Sequence, residues 1–425
     1  MYNIVDYGAV ADGATVCTKS IQAAVDACAA EGGGRVTVPA GTFVTGTIWL
    51  KSNVELHLAH GAVLKASENL ADYNDEDAYE QNFSYPPEEW CGKHLVMILE
   101  CDNVAITGTG TIDGSAEAYY DFENRILHGE YVWADGLSLS KDKVNLRPGQ
   151  LLCFVESTNV RVTDICIRNA TSWCCFFHGC EYITVRGLRV FNDSSAANTD
   201  GIDLDCCRFA TVSDCIIETG DDAVAIRCSG KKLKRTPPRC EHITISNCVF
   251  SSASSAFRIG VGEGNIRHIR ISNIILNRAG VGLHFMPTIH SKGCIDIEDV
   301  NFSNISAVNV SYPMLIGGDA GSVKNIVLDN IRMEVKAESE IAAHGSCVVS
   351  DLLLRVVQLR LCDEKRPFTE RTLKERGLTA LRVENAQRIR MERVSVTAED
   401  SVAGTWQAMY AEIGCSDIGK YDCCL

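Results

Sequence analysis

From Val160 onward a six-residue phrase returns along the chain: VRVTDI at 160, ITVRGL at 183, ATVSDC at 210, ITISNC at 243, IRISNI at 269, VNFSNI at 300, IVLDNI at 326 and IRMERV at 389. The first six intervals are 23, 27, 33, 26, 31 and 26 residues, and the last is 63. Each phrase alternates apolar and polar side chains and then reaches Asp, Asn, Gly or a charged residue, which describes a strand with one buried face running into a bend. A repeat of this length built on strands buries its apolar face only by stacking on the next copy. The predicted fold class is all-β, a right-handed parallel β-helix with variable loops leaving one side.

The rest of the chain fits one such domain over residues 1–425. Asn53–Ser67 (NVELHLAHGAVLKAS) and Asn103–Gly114 (NVAITGTGTIDG) read as further coils. Residues from about 12 to 50 read as an N-terminal cap. Ile21, Val25 and Cys28 keep helical spacing, Thr18 or Ser20 is the expected helix start, Gly32–Gly34 the stop, and Arg35–Val38 a short strand. Asp72–Trp90 is acidic and aromatic without periodicity and reads as a loop over the coil. The long final interval, about 335–385, reads as an insertion with a short helix at Phe368–Gly377.

Composition bounds the function. A net charge of −15 argues against nucleic acid as a partner, because phosphate binding needs a basic footprint. No apolar run approaches the ~20 residues of a membrane span, so no membrane partner is expected. MYNIVDYGAV lacks a basic segment followed by an apolar one, so no secretory signal is expected. The 21 cysteines often fall inside apolar runs and are not spaced as C-x-x-C, which reads as buried thiols rather than disulfides or zinc ligands. The expected location is therefore the cytoplasm, with no metal.

The densest chemistry lies in Asn198–Asp222, NTDGIDLDCCRFATVSDCIIETGDD. Matching inward residues sets Ile202 over Val224 over Phe257 over Val281, and Leu204 over Ile226 over Ile259 over Leu283. Successive coils lie ~4.8 Å apart, so this register brings Asp200, Asp221 and Asp222 together. Mutual repulsion lets one such acid hold a proton while another stays ionised, the arrangement that glycoside hydrolysis uses. The competing readings of these residues are turn capping and calcium binding.

With its NTDG and GDD motifs, VDYGAVADG, GGGRVTVPAGTF and TIDG, the sequence resembles the polygalacturonase family of glycoside hydrolases, family 28, inverting enzymes on a pectin-lyase-like β-helix. The resemblance runs over most of the chain and implies Asp221 as general acid, Asp200 with Asp222 as the pair activating water, and Asn198 orienting one of them. The family's Gly-His-Gly falls at Ala253–Ser255, where Ser254 stands for the histidine. Its carboxylate-holding Arg-Ile-Lys falls at Gly282, Leu283 and His284. Arg258, read as pointing outward one coil before Gly282, is a candidate, with His284, for binding an acidic or polyhydroxylated sugar. Its alternative role is a structural ladder with Asp203.

Tyr312 and Trp173 are aromatic candidates for stacking on a sugar, or else for covering an edge. Arg227 reads as a surface ion pair with Asp205, and the basic run Lys231–Arg239 as a loop beside the active coil. His178 and His290 have no metal spacing. The expected activity is that of an inverting glycoside hydrolase needing no cofactor, acting on oligosaccharides, with action from the chain ends of pectin-derived or other uronate-containing glycans as its expected mode. The alternatives are a β-helix uronate lyase or epimerase, recognised by an unsaturated or epimerised product, and a non-catalytic carbohydrate-binding solenoid. The oligomeric state has no signature in the sequence.

Overall fold

A computed structural model describes residues 2–74, 93–122, 126–127, 130–131, 147–230, 233–288, 293–362 and 379–425. The chain folds as a right-handed parallel β-helix, most of its strands joined in parallel pairs between coils. By packing it divides into two compact units, residues 1–221 with 229–239, and residues 222–228 with 240–425. Among the described residues no helix is long and apolar enough to cross a membrane.

In the first unit each coil contributes three strands, and like residues stack on like. One inward column is Leu56, Ile106, Val162, Val185 and Val212. A second is Ile98, Phe154, Phe177 and Leu204, and a third Leu64, Ile112, Ile167, Val190 and Ile217. All of these side chains are buried, and each contributes roughly 1.5–3 kcal/mol of transfer free energy. The alternation read in the sequence is thus the alternation of core and surface. In the second unit Ile271, Phe302, Leu328, Leu354 and Met391 form the column at the same position of the phrase as Val162, Val185 and Val212.

Bends between strands use the left-handed backbone region, where Asn is tolerated. Asn103 and Asn159 have φ of 56° and 51°, and their carboxamides donate to Asn53 and Asn103 at 3.1 and 3.0 Å. In the second unit Asn273, Asn304 and Asn330 donate in turn to Asn247, Asn273 and Asn304 at 3.2, 3.1 and 2.8 Å.

Thr18–Ala30 is the N-terminal helix, burying Ile21, Ala24, Val25 and Cys28. Its N-cap is Cys17 rather than Thr18 or Ser20, and Thr18 Oγ1 instead accepts from Gly46 N at 2.7 Å, tying the helix to the coil beneath it. Within the stretch expected as an insertion, Ser339–Ala343, Val348–Leu361 and Thr379–Glu384 are strands paired in register, so the coils run on through Leu361. The helix expected at Phe368–Gly377 lies outside the described residues, as do His290 and most of the loop expected at Asp72–Trp90.

Candidate active site

Asp200 and Asp221 belong to the first unit. Asp200 immediately precedes the Gly201 turn into strand Ile202–Asp205, and its carbonyl accepts from Cys174 N at 2.8 Å. Asp221 ends the coil that follows. Gly220 before it lies so close to the Ala196 carbonyl oxygen that a Cβ would stand 2.1 Å away, which accounts for the glycine of the GDD motif. Gly220 N donates to Thr199 Oγ1 at 3.0 Å, and that hydroxyl donates to Ala196 O at 2.8 Å, so the NTD and GDD turns are bonded to each other. Carboxylate oxygens of Asp200 and Asp221 come within 4.8 Å of one another, as the coil register predicts. Asn198, at φ 58°, donates its backbone N–H and its Nδ2–H to Asp221 Oδ2 at 3.2 and 3.3 Å.

Asp222 is the next residue of the chain and the first of the second unit. Its Oδ1 accepts from Ser254 Oγ at 3.0 Å and Ser255 N at 2.9 Å, and its Oδ2 is ion-paired with Arg258 Nε. Three donors around one buried side chain are what a carboxylate, an acceptor only, can satisfy. Ser255 Oγ lies 3.2 Å from His284 Nδ1. Burial pushes the His284 imidazole down to about 4; Asp222 opposes that shift and Arg258 adds to it, so the ring is neutral near pH 7.

The register differs from the sequence reading in its last step. Val224 pairs with Phe257 and Ile226 with Ile259 as expected, but Phe257 pairs with Leu283 and Ile259 with Phe285, not with Val281 and Leu283. A slip of two residues keeps every side chain on its face, so alternation alone cannot detect it. Arg258 therefore stands beside His284 and not beside Gly282. Nor does Gly282 leave a gap, because a Cβ there would lie 2.7 Å from the Pro313 carbonyl oxygen.

Other candidates settle into the scaffold. Trp173 is buried with Met97, Cys153, Val155 and Phe176. His178 is buried, with Nε2 3.1 Å from Ser229 O. Arg227 is buried, not a surface residue. The described part of the basic run is pinned: Glu156 Oε1 accepts from Arg235 N and Thr236 N at 2.6 and 3.0 Å, while Lys234 and Arg235 pair with Glu100. Tyr312 is half-buried and pairs with Val281. The sequence reading draws no role from Ser255, the last position of the Gly-His-Gly match, although its N–H donates to Asp222 Oδ1. It also passed over Tyr120 and Arg147, because arginine is rarely buried and nothing local announces it.

A β-helix that presents paired aspartates at the turns of neighbouring coils defines a carbohydrate-active class. The profile of Glycosyl hydrolases family 28 matches residues 28–347, and the chain belongs to that family. It is 29% identical over 315 residues to an exo-poly-alpha-D-galacturonosidase of Dickeya chrysanthemi, covering 66% of this chain and 51% of that one. It thus spans about half the length of that relative. Among solved structures, the family 28 exopolygalacturonase of Yersinia enterocolitica superposes with a TM-score of 0.70 at 20% identity, over 98% of this chain and 77% of that one. The exopolygalacturonase of Thermotoga maritima gives 0.62 at 22% identity, over 97% and 91%. Those two share the fold.

Proposed function

We propose that this protein is an inverting glycoside hydrolase that removes sugars from the ends of uronate-containing, pectin-derived glycans. Asp221 serves as general acid, and Asp200 with Asp222 activates water. The observation that carries this reading is the approach of Asp200 and Asp221 within 4.8 Å. At that distance repulsion disfavours two negative charges, and one of the pair keeps a transferable proton. Family membership and the activity named for the Dickeya relative support the sugar class and the action from chain ends. The chemistry needs proton transfer and water alone, without a cofactor.

Asn198 and Arg258 act on the aspartates they contact, Asp221 and Asp222, and are positioning residues in this reading. Ser254, His284 and Tyr312 remain the residues assigned to the substrate. The location assigned is the cytoplasm, because many thiols are buried between coils, such as Cys180 Sγ donating to Phe154 O at 3.4 Å; recovery of the native protein outside the cell would overturn that assignment.

The carboxyls of inverting enzymes usually stand ~6.5–9.5 Å apart, to leave room for the attacking water, and those of retaining ones ~5–5.5 Å. The anomeric outcome is therefore the measurement on which the mechanism turns. Proton NMR of an oligogalacturonate digest is expected to show a first product of inverted configuration, released from one end. A retained anomer overturns the assignment of water activation to Asp200 and Asp222, an unsaturated product points to the lyase, and no cleavage across acidic and neutral glycans overturns the hydrolase.

A further inference from the structure

Behind the Asp221 turn lies a buried arginine that the acid–base assignment does not use. Arg147 is 1% exposed. Its Nη2 donates to Asn198 Oδ1 at 3.0 Å, and its Nη1 donates to Ala197 O at 3.0 Å and to Thr171 O. Tyr120 Oη lies between the same two carbonyls, 2.8 Å from Ala197 O and 3.0 Å from Thr171 O, its single proton shared between them, and its ring centroid lies 5.3 Å from the guanidinium carbon. Two side chains distant in sequence thus clamp the residue before Asn198, and one of them continues onto the Asn198 side chain.

The chemistry of the donors gives this chain of contacts a direction. A guanidinium has donors only, so the Asn198 atom facing it is the carboxamide oxygen. The amide nitrogen is thereby turned toward Asp221. The flipped amide would set NH2 against the guanidinium and a carbonyl oxygen against the carboxyl, repulsive at both ends. With both Asn198 donors on Asp221 Oδ2, the acidic proton belongs on Oδ1.

We propose that Arg147 is a positioning residue for the general acid: through the Asn198 carboxamide it fixes which oxygen of Asp221 carries the transferable proton, while Tyr120 braces the same turn. This rests on the assignment of Asp221 as the acid. In the step, Oδ1–H protonates the glycosidic oxygen as the bond from that oxygen to the anomeric carbon breaks, the electron pair staying on oxygen, while the water activated by Asp200 with Asp222 bonds to the anomeric carbon and gives its proton to that pair of aspartates. Asp221 is left as a carboxylate whose Oδ2 already accepts two N–H donors, so its new charge is met without rearrangement.

The test compares two substrates, an α-linked digalacturonate and α-galacturonosyl fluoride, whose leaving group needs little protonation. For Arg147→Met and Asn198→Ala, kcat on the disaccharide is expected to fall about 10²-fold, with KM changed by less than about threefold and the fluoride rate nearly kept. The double variant is expected to be no slower than Asn198→Ala alone, because Arg147 acts through that side chain. Equal losses on both substrates, or losses that multiply in the double variant, overturn the proposal. Should Arg147→Met not fold, Arg147→Lys, whose single ammonium cannot reproduce the planar fork, is read by the same ratio. Asp221→Asn is measured alongside: if it slows both substrates equally, the acid assignment fails, a result distinct from failure of the Arg147 relay.

Discussion

Arg258 is ion-paired through Nε with Oδ2 of Asp222, and the two side chains are only 11% and 2% exposed. A buried carboxylate stripped of its countercharge is costly, typically ~3–5 kcal/mol when one partner of such a pair is removed. Arg258→Met is accordingly expected to lose about 3 kcal/mol of stability and most of its kcat, with Arg258→Lys intermediate. Chemical denaturation together with kcat and KM checks this, and a variant with normal kcat, normal stability and a raised KM would show that Arg258 serves the sugar instead.

His284 and His94 are both held near 4, first of all by burial. Their folded values lie below the ordinary 6.5, so between those pH values the unfolded chain binds protons that the folded chain refuses. The stability is complete above pH 6.5 and declines as pH falls toward 4, by at most ~3 kcal/mol per histidine. Melting temperatures of the wild type and of His284→Gln should differ in slope across that window, the variant being flatter. Parallel slopes would remove His284 from the account.

Val356 occupies the left-handed region at φ 54°, one coil after Asn330, where a β-branched residue is strained. Val356→Asn relieves that strain and offers Asn330 a partner in the amide ladder. We expect about 1 kcal/mol of added stability, read from the denaturant midpoint; a lower midpoint would count against a ladder at this turn.

Burial raises the Cys174 and Cys180 thiols to about 12, whereas Cys294 and Cys424 are exposed. Mass spectrometry after brief alkylation of the native protein should find label on Cys294 and Cys424 and none on Cys174 or Cys180 until denaturant is added. Early labelling of the latter pair would mean that these coils open locally.

The fold was legible because stacking imposes the same alternation on every coil, and the eight recurring phrases report it directly. The coil at Leu352–Val357 escaped notice because LLLRVV lacks alternation and its turn carries Val356 in place of Asn. Asp200 and Asp221 were legible because one coil of spacing separates their motifs. The step from Phe257 to Leu283 was not, since a two-residue slip preserves the inward face, and so the pairing of Arg258 with His284 emerged only in three dimensions. Arg147 was illegible for a different reason: its partners are mainly backbone carbonyls, which leave no trace in residue type.

Asn247, Asn273, Asn304, Asn330 and Val356 recur at steps of 26, 31, 26 and 26 residues. That arithmetic gives the second unit a natural quantum of length. Excising residues 304–329 would place Asn330 directly behind Ser303, and Ser303 already pairs with Asp329, so every later strand would keep its phase. A single cooperative melting transition in the shortened protein would bear this out, whereas a slipped or molten product would not. Coils of this kind can be gained or lost in frame; here the excised one also carries Tyr312, so activity of the shortened protein would report on that residue's assigned role at the substrate.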